Sequence, residues 1–186
     1  MKQINCFIPF ENATQAAKTI ENLSQSALLN KIYLLSTNPN SNFVGYETIV
    51  IDNLQSSSTM RKIAAKSDTE YSLIYTKYTT LETGQFALER FARIASDTKA
   101  GLVYSDYYEI KDGNRSAHPV IDYQEGSLRD DFNFGSVLFY NAAMLRKAVE
   151  ANQNNYQFAG LYDLRLRVSQ QAELFHINEY LYTYLS

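Results

Sequence analysis

The sequence predicts a single α/β domain, residues 1–186, with a mostly parallel central sheet flanked by helices. Two observations predict it. Short runs rich in β-branched and aromatic residues alternate along the chain with longer runs whose apolar residues recur at helical spacing. The 186 residues are 45% apolar and 20% charged, with 7 Gly and 3 Pro, values that suit one domain with a sizeable core.

Ile4–Ile8 reads as a buried strand. Asn12 caps the first helix, with Gln15 as its capping-box partner three residues on. Ala13, Ala16, Ala17, Ile20, Leu23 and Ala27 hold one face of it. Ile32–Leu35 and Thr48–Ile51 are the second and third strands. Ser58 or Thr59 starts a helix that packs Met60, Ile63 and Ala64, and Tyr71–Tyr75 is the fourth strand. A third helix runs from Gln85 to Ser96, with Ala87, Leu88, Phe91, Ile94 and Ala95 inward. Leu102–Ile110 is a strand that ends at Asp112-Gly113, a tight-turn pair expected in a hairpin. His118–Phe132 is irregular and polar, and Phe134–Tyr140 is a strand. Asn141 caps a helix that ends at Val149, and Glu150–Gln157 is the expected mobile loop. Leu161–Ser169 is helical and Leu174–Ile177 is a last short strand.

Composition removes several functions. The net charge of −3 supplies no general pull toward nucleic acid or an anionic membrane. The only cysteine, Cys6, excludes an internal disulfide and fits a reducing, cytoplasmic setting. No apolar run is long enough for a transmembrane segment. There is no P-loop, no G-x-G-x-x-G after a strand and no G-x-S-x-G elbow. With only His118 and His176, a His-ligated zinc site or a Ser-His-Asp triad is not expected, and His176, inside an apolar run, reads as structural.

Four segments carry a resemblance. Ile4–Asn12 reads INCFIPFEN, Ser67–Gly84 reads SDTEYSLIYTKYTTLETG, Gly101–Gly113 reads GLVYSDYYEIKDG, and Tyr162–Leu185 reads YDLRLRVSQQAELFHINEYLYTYL. In order and spacing they resemble bacterial members of the family 2 glycosyltransferases, over nearly the whole chain. The resemblance implies a GT-A (nucleotide-diphospho-sugar transferase) fold. It implies a nucleotide sugar as donor, and a glycan or lipid-linked acceptor in polysaccharide biosynthesis. Pro9, Phe10 and Glu11 fall where the family's first strand meets the nucleotide. Arg61 lies one residue from the position of a diphosphate-facing arginine, since Met60 takes that position itself.

The family's Asp-x-Asp metal ligands fall on Thr76 and Tyr78. Mg²⁺ or Mn²⁺ offsets the charge of a leaving diphosphate and takes hard oxygen ligands, mostly carboxylates. A hydroxyl and a phenol do not replace them, so a metal is expected only if other ligands keep the site. Lys77, between them, repels a metal and is instead a candidate to neutralise phosphate directly. The family's general base falls on Leu161, which cannot accept a proton. Asp106 and Asp163 are the remaining catalytic candidates. Asp106 and Glu109, three apart, oppose each other on a flat strand unless a bulge intervenes. Arg165 and Arg167 are candidate groove residues.

Two readings stay open. One is an active transferase working by direct attack of an acceptor hydroxyl. The other is a non-catalytic binding or scaffolding domain, the N-terminal part of a longer polypeptide with a second transferase domain as partner. A third, an unrelated α/β protein, would gain if Tyr71–Tyr75 lay at a sheet edge instead of centrally.

Overall fold

A computed structural model describes residues 1–124 and 132–186. The stretch expected to be irregular, 118–132, lies partly outside the described residues. Strands β1 (Ile4–Pro9), β2 (Leu29–Ser36), β3 (Glu47–Val50) and β4 (Tyr71–Tyr75) alternate with helices α1 (Ala13–Leu23) and α2 (Ser57–Ala65). Then come β5 (Leu81–Thr83), α3 (Ala87–Thr98), β6 (Leu102–Lys111), β7 (Asn114–His118) and β8 (Val137–Asn141). Helices α4 (Ala142–Glu150) and α5 (Gly160–Ser169) precede the final strand, β9 (Leu174–Leu185).

One sheet takes the order β3-β2-β1-β4-β8-β6-β9-β5, with β7 paired to β6. It is parallel from β3 through β4, with α1 crossing between β1 and β2 and α2 between β3 and β4. Beyond β4 it is mixed: β8 is antiparallel to both neighbours, β9 parallel to β6 and β5 antiparallel to β9. Tyr71–Tyr75 is therefore central and wholly buried, so the edge placement that would have strengthened the unrelated-protein reading is not observed. Two strands exceed expectation. β9 runs for 12 residues because it follows β6 past a register break and continues against β5, a short strand with no local signal of its own.

Local chemistry explains the helix starts. The Asn12 side chain accepts from the backbone amides of Thr14 and Gln15. Gln15 does not complete the capping box; it turns away and donates to the Thr79 carbonyl at 3.1 Å. The second helix is capped by Ser56, two residues before Ser58, because Ser56 accepts from Thr59 N and donates to Asp52 at 2.5 Å. On α1 the inward face is Ala16, Thr19, Ile20 and Leu23, whereas Ala13, Ala17 and Ala27 are exposed. Thr19 is inside because its hydroxyl accepts the Leu81 amide.

The core is aromatic at its centre: Phe139 lies between Tyr71 and Phe91, with ring centroids 5.1 and 5.3 Å away. Such pairs add about 0.5–1.5 kcal/mol each beyond their buried area. Helices α2, α4 and α5 pack on one another, while α1 meets β5 and α3 meets β6 and β9. The expected mobile loop is held: Tyr156 exchanges bonds with Ser57, Asn53 donates to the Gln157 carbonyl and Arg61 to the Asn154 carbonyl. Among the described residues no helix is long and apolar enough to cross a membrane.

Candidate functional site

Open α/β sheets bind ligands beyond the C-terminal ends of their parallel strands. In this sheet β1 and β4 are parallel neighbours with Phe7 level with Ile74, so the same register sets Pro9 level with Thr76. β6 reaches the same edge. Val103 pairs with Phe139, which pairs with Leu73, and Asp106 lies three residues farther on. The sequence candidates Pro9, Phe10, Glu11, Thr76, Lys77, Tyr78 and Asp106 thus meet one edge of the sheet.

Their side chains are differently engaged. Pro9 and Phe10 are buried, with Phe10 edge-on to Phe43 at 6.0 Å, so they form a wall. Glu11 is exposed. Burial, and then the nearby Glu11 carboxylate, pushes the Tyr78 hydroxyl above its usual range. Thr76 is spent on the loop before β8: its amide and its hydroxyl both donate to the Ser136 carbonyl, at 2.9 and 3.2 Å. Lys77 is exposed, and its ammonium lies 5.0 Å from the Tyr184 ring centre. This donor set does not fit a divalent cation, for it offers one occupied hydroxyl, one protonated phenol and an ammonium. Among the described residues no three His, Cys, Asp or Glu side chains converge into a metal-holding group.

Asp106 sits where β6 and β9 slip register, the bulge that a flat strand lacks. One oxygen of it accepts the Val120 amide at 2.9 Å and lies 2.7 Å from His176 Nε2. The other ring nitrogen, Nδ1, lies 2.7 Å from Asp122. The ring thus lies between two carboxylates, one ring nitrogen facing each. Tyr104 stacks on it at 5.3 Å and donates its hydroxyl to the Ile121 carbonyl. This Asp–His–Asp strap ties residues 120–122 to the sheet. His176 has the structural role that its apolar run predicts. Its partners escaped sequence reading because they sit 70 and 54 residues away.

Arg61 and Asp163 are brought together elsewhere, in a crevice between α2, α4 and α5 too small for a ligand, about 10 Å³. Arg61 holds the loop after α4 through the Asn154 carbonyl and Asn155. Asp163 accepts from Asn152 at 2.6 Å and from Arg167 at 2.7 Å. Leu161, at the family's base position, is buried. Gly160 beside it lies so close to α2 that a Cβ would run into the backbone of Ser56 and Ser57. Gly135, at φ 74°, is as tightly placed, since a Cβ there would strike the Tyr182 hydroxyl. That hydroxyl accepts the Ser136 amide at 2.7 Å and so fixes the loop that holds Thr76. A groove of about 540 Å³ lies at the other end of the sheet, along the first half of β2 and the start of β3. Strand polarity sets it apart from the candidate edge.

No protein-family model and no curated protein sequence matches the chain. Solved structures do. The chain is similar to S. aureus TarS (residues 1–349), with TM-score 0.69 at 9% identity, covering 98% of this chain and 60% of that one. TarS in complex with UDP-GlcNAc matches with TM-score 0.68 at 9% identity, over 100% and 59% of the two chains. TarS in complex with UDP matches with TM-score 0.64 at 8% identity, over 100% and 61%. The chain thus spans about three fifths of those structures. It has a GT-A-like fold, a curled central sheet flanked by helices.

Proposed function

We propose that this chain is a glycosyltransferase-like domain of the family 2 type that holds a nucleotide diphosphate sugar at the C-terminal edge of β1 and β4. The observation that carries the reading is the placement of Pro9, Phe10 and Glu11 level with Thr76, Lys77 and Tyr78, in a fold shared over the whole chain with TarS. The TarS structures include complexes with UDP-GlcNAc and with UDP. The wall of Pro9 and Phe10 suits a planar base. Lys77 suits the diphosphate: its contact with Tyr184 is exposed and contributes only about 0.5–1 kcal/mol, so the ammonium is free to move to phosphate. Binding then needs no metal.

As an enzyme, the domain transfers the sugar to a glycan or lipid-linked acceptor. The acceptor hydroxyl attacks the anomeric carbon opposite the diphosphate. The bond to the diphosphate breaks with its electron pair, the proton passes to a base, and configuration inverts. Asp106 and Asp163 are the carboxylates proposed for that role, and each must first release the partners it now holds. A second reading, a binding or scaffolding domain beside a second transferase domain of the same polypeptide, is favoured by buried Leu161 and the closed approach at Gly160. In both readings the compartment is the cytoplasm.

Calorimetry with UDP and GDP, with and without Mn²⁺, tests the proposal. The expected result is micromolar binding of one nucleotide, unchanged by Mn²⁺ and weakened severalfold in Lys77→Ala. Absence of binding to both overturns it. Sugar transfer from UDP-GlcNAc that falls in Asp106→Asn selects the enzyme; binding without transfer selects the scaffold.

A further inference from the structure

A pocket of about 300 Å³ opens at the start of α5, bounded by Gln55, Phe158, Leu161 and Arg165 among others. Its volume is at the lower end of small-molecule sites. Its one cation is unusually placed. Arg165 Nε is buried and has no hydrogen-bond partner. The guanidinium lies 5.0 Å from the Phe134 ring centre, and burial pulls its pKa below the usual arginine value. Among the described residues no carboxylate pairs with it. Asp163, its near neighbour on the helix, is already held by Asn152 and Arg167. The Tyr140 hydroxyl is fully buried, feels the charge of Arg165 and also has no partner. Native interiors rarely leave such groups unpaired, and a charged donor still less; among the described residues nothing completes them.

We propose that this pocket is an oxyanion subsite, in which the Arg165 guanidinium pairs with a phosphate or carboxylate group. The guanidinium fork matches two oxygens of either group, which a lone ammonium does not. The apolar rim of Leu161 and the exposed Phe158 covers the body that carries the anion. Phe134 beneath the guanidinium belongs to the same short loop as Ser136, which holds Thr76, so the subsite lies beside the nucleotide edge. The subsite goes beyond the proposed function and does not require it.

The test is a titration of the full chain, ¹⁵N-labelled and observed at the arginine Nε–H resonances, with inorganic phosphate, UDP, glucuronate and neutral N-acetylglucosamine. The expected result is that at least one oxyanion shifts the Arg165 signal while the neutral sugar does not. Phosphate and UDP acting alone identify a phosphate source; glucuronate acting alone identifies an acidic sugar. In Arg165→Gln that oxyanion binds at least tenfold more weakly. Should the Gln variant fail to fold, Arg165→Lys keeps the charge without the fork and is expected to lose severalfold. A silent Arg165 signal with all three oxyanions, or equal affinity in the variants, overturns the subsite. UDP binding that survives in Arg165→Gln with a silent signal refutes the subsite and spares the nucleotide reading. Glucuronate or phosphate binding without any UDP binding does the reverse.

Discussion

Replacing His176 by Leu isolates the strap that ties residues 120–122 to the sheet. The His176 and Asp106 side chains are 2% and 8% exposed, so the change leaves a buried carboxylate with only the Val120 amide. Removing one partner of a buried pair costs about 3–5 kcal/mol. The second arm adds little, because Asp122 is 76% exposed and such pairs contribute about 0–1 kcal/mol. For a chain of 186 residues, an unfolding entropy of roughly 2.1 cal/mol/K per residue gives about 0.4 kcal/mol/K, so the melting point should fall by roughly 8–13 °C. Urea unfolding at pH 7, followed by circular dichroism, measures the free energy. The double variant His176→Leu/Asp106→Asn should recover part of the loss, because an amide still accepts from Val120 and carries no charge. Asp122→Asn alone should stay within about 1 kcal/mol of the parent. A His176→Leu loss below about 1 kcal/mol, or a double variant no better than the single one, refutes the buried-charge argument.

Three further outcomes follow from local geometry. Gly160→Ala forces a methyl into the Ser56–Ser57 backbone and is expected to destabilise by about 1–3 kcal/mol in urea unfolding, by prising α5 from α2. Asn12→Ala removes the acceptor for Thr14 and Gln15 and should lower stability by about 1 kcal/mol in the same assay. The Ser56 hydroxyl first, then the Asn53 amide and the Thr59 hydroxyl, holds the Asp52 carboxyl below its usual range. A carboxyl depressed in the folded state contributes stability above its unfolded value, roughly pH 3.9, and loses it as pH falls through the folded value. Melting curves between pH 6 and 2 should therefore decline less steeply in Asp52→Asn than in the parent.

Features set by neighbours in sequence were legible. The Asn12 and Asn141 caps need only the amides two or three residues ahead, and Tyr71–Tyr75 is apolar and aromatic enough to be a strand anywhere. Features decided by distant partners were not. β5 is three residues that become a strand only against β9, and β9 is long because β6 pairs with it from Leu174 to Leu185 across a register break. Gln15 suits a capping box by spacing, but Thr79 takes its amide. The polar loop after α4 reads as mobile, yet α2 supplies it with backbone partners from across the fold. At the site, the strand ends were readable because strand order puts them on one edge. Arg61 was not, because its direction depends on how α2 meets α4 and α5.

The positions that the resemblance singles out all have packing roles in this fold. Thr76 now closes the loop before β8, Leu161 fills space at the head of α5, and Gly160 lets that helix lie against α2. A carboxylate placed at 76 would set a charge against the Ser136 carbonyl that the hydroxyl now engages, and one at 161 would be buried at the head of α5. Packing thus engages Thr76, Gly160 and Leu161 fully. Lys77 and Arg165 are not engaged in this way. One keeps only an exposed ring contact, and the other keeps a buried donor with no acceptor. A diphosphate carries negative charge whether or not its sugar is transferred, so cations left unpaired beside the sheet edge mark binding more directly than they mark catalysis. Affinity is the property to measure before turnover, since it separates a site adapted to hold an anion without metal from one that has lost its ligand altogether.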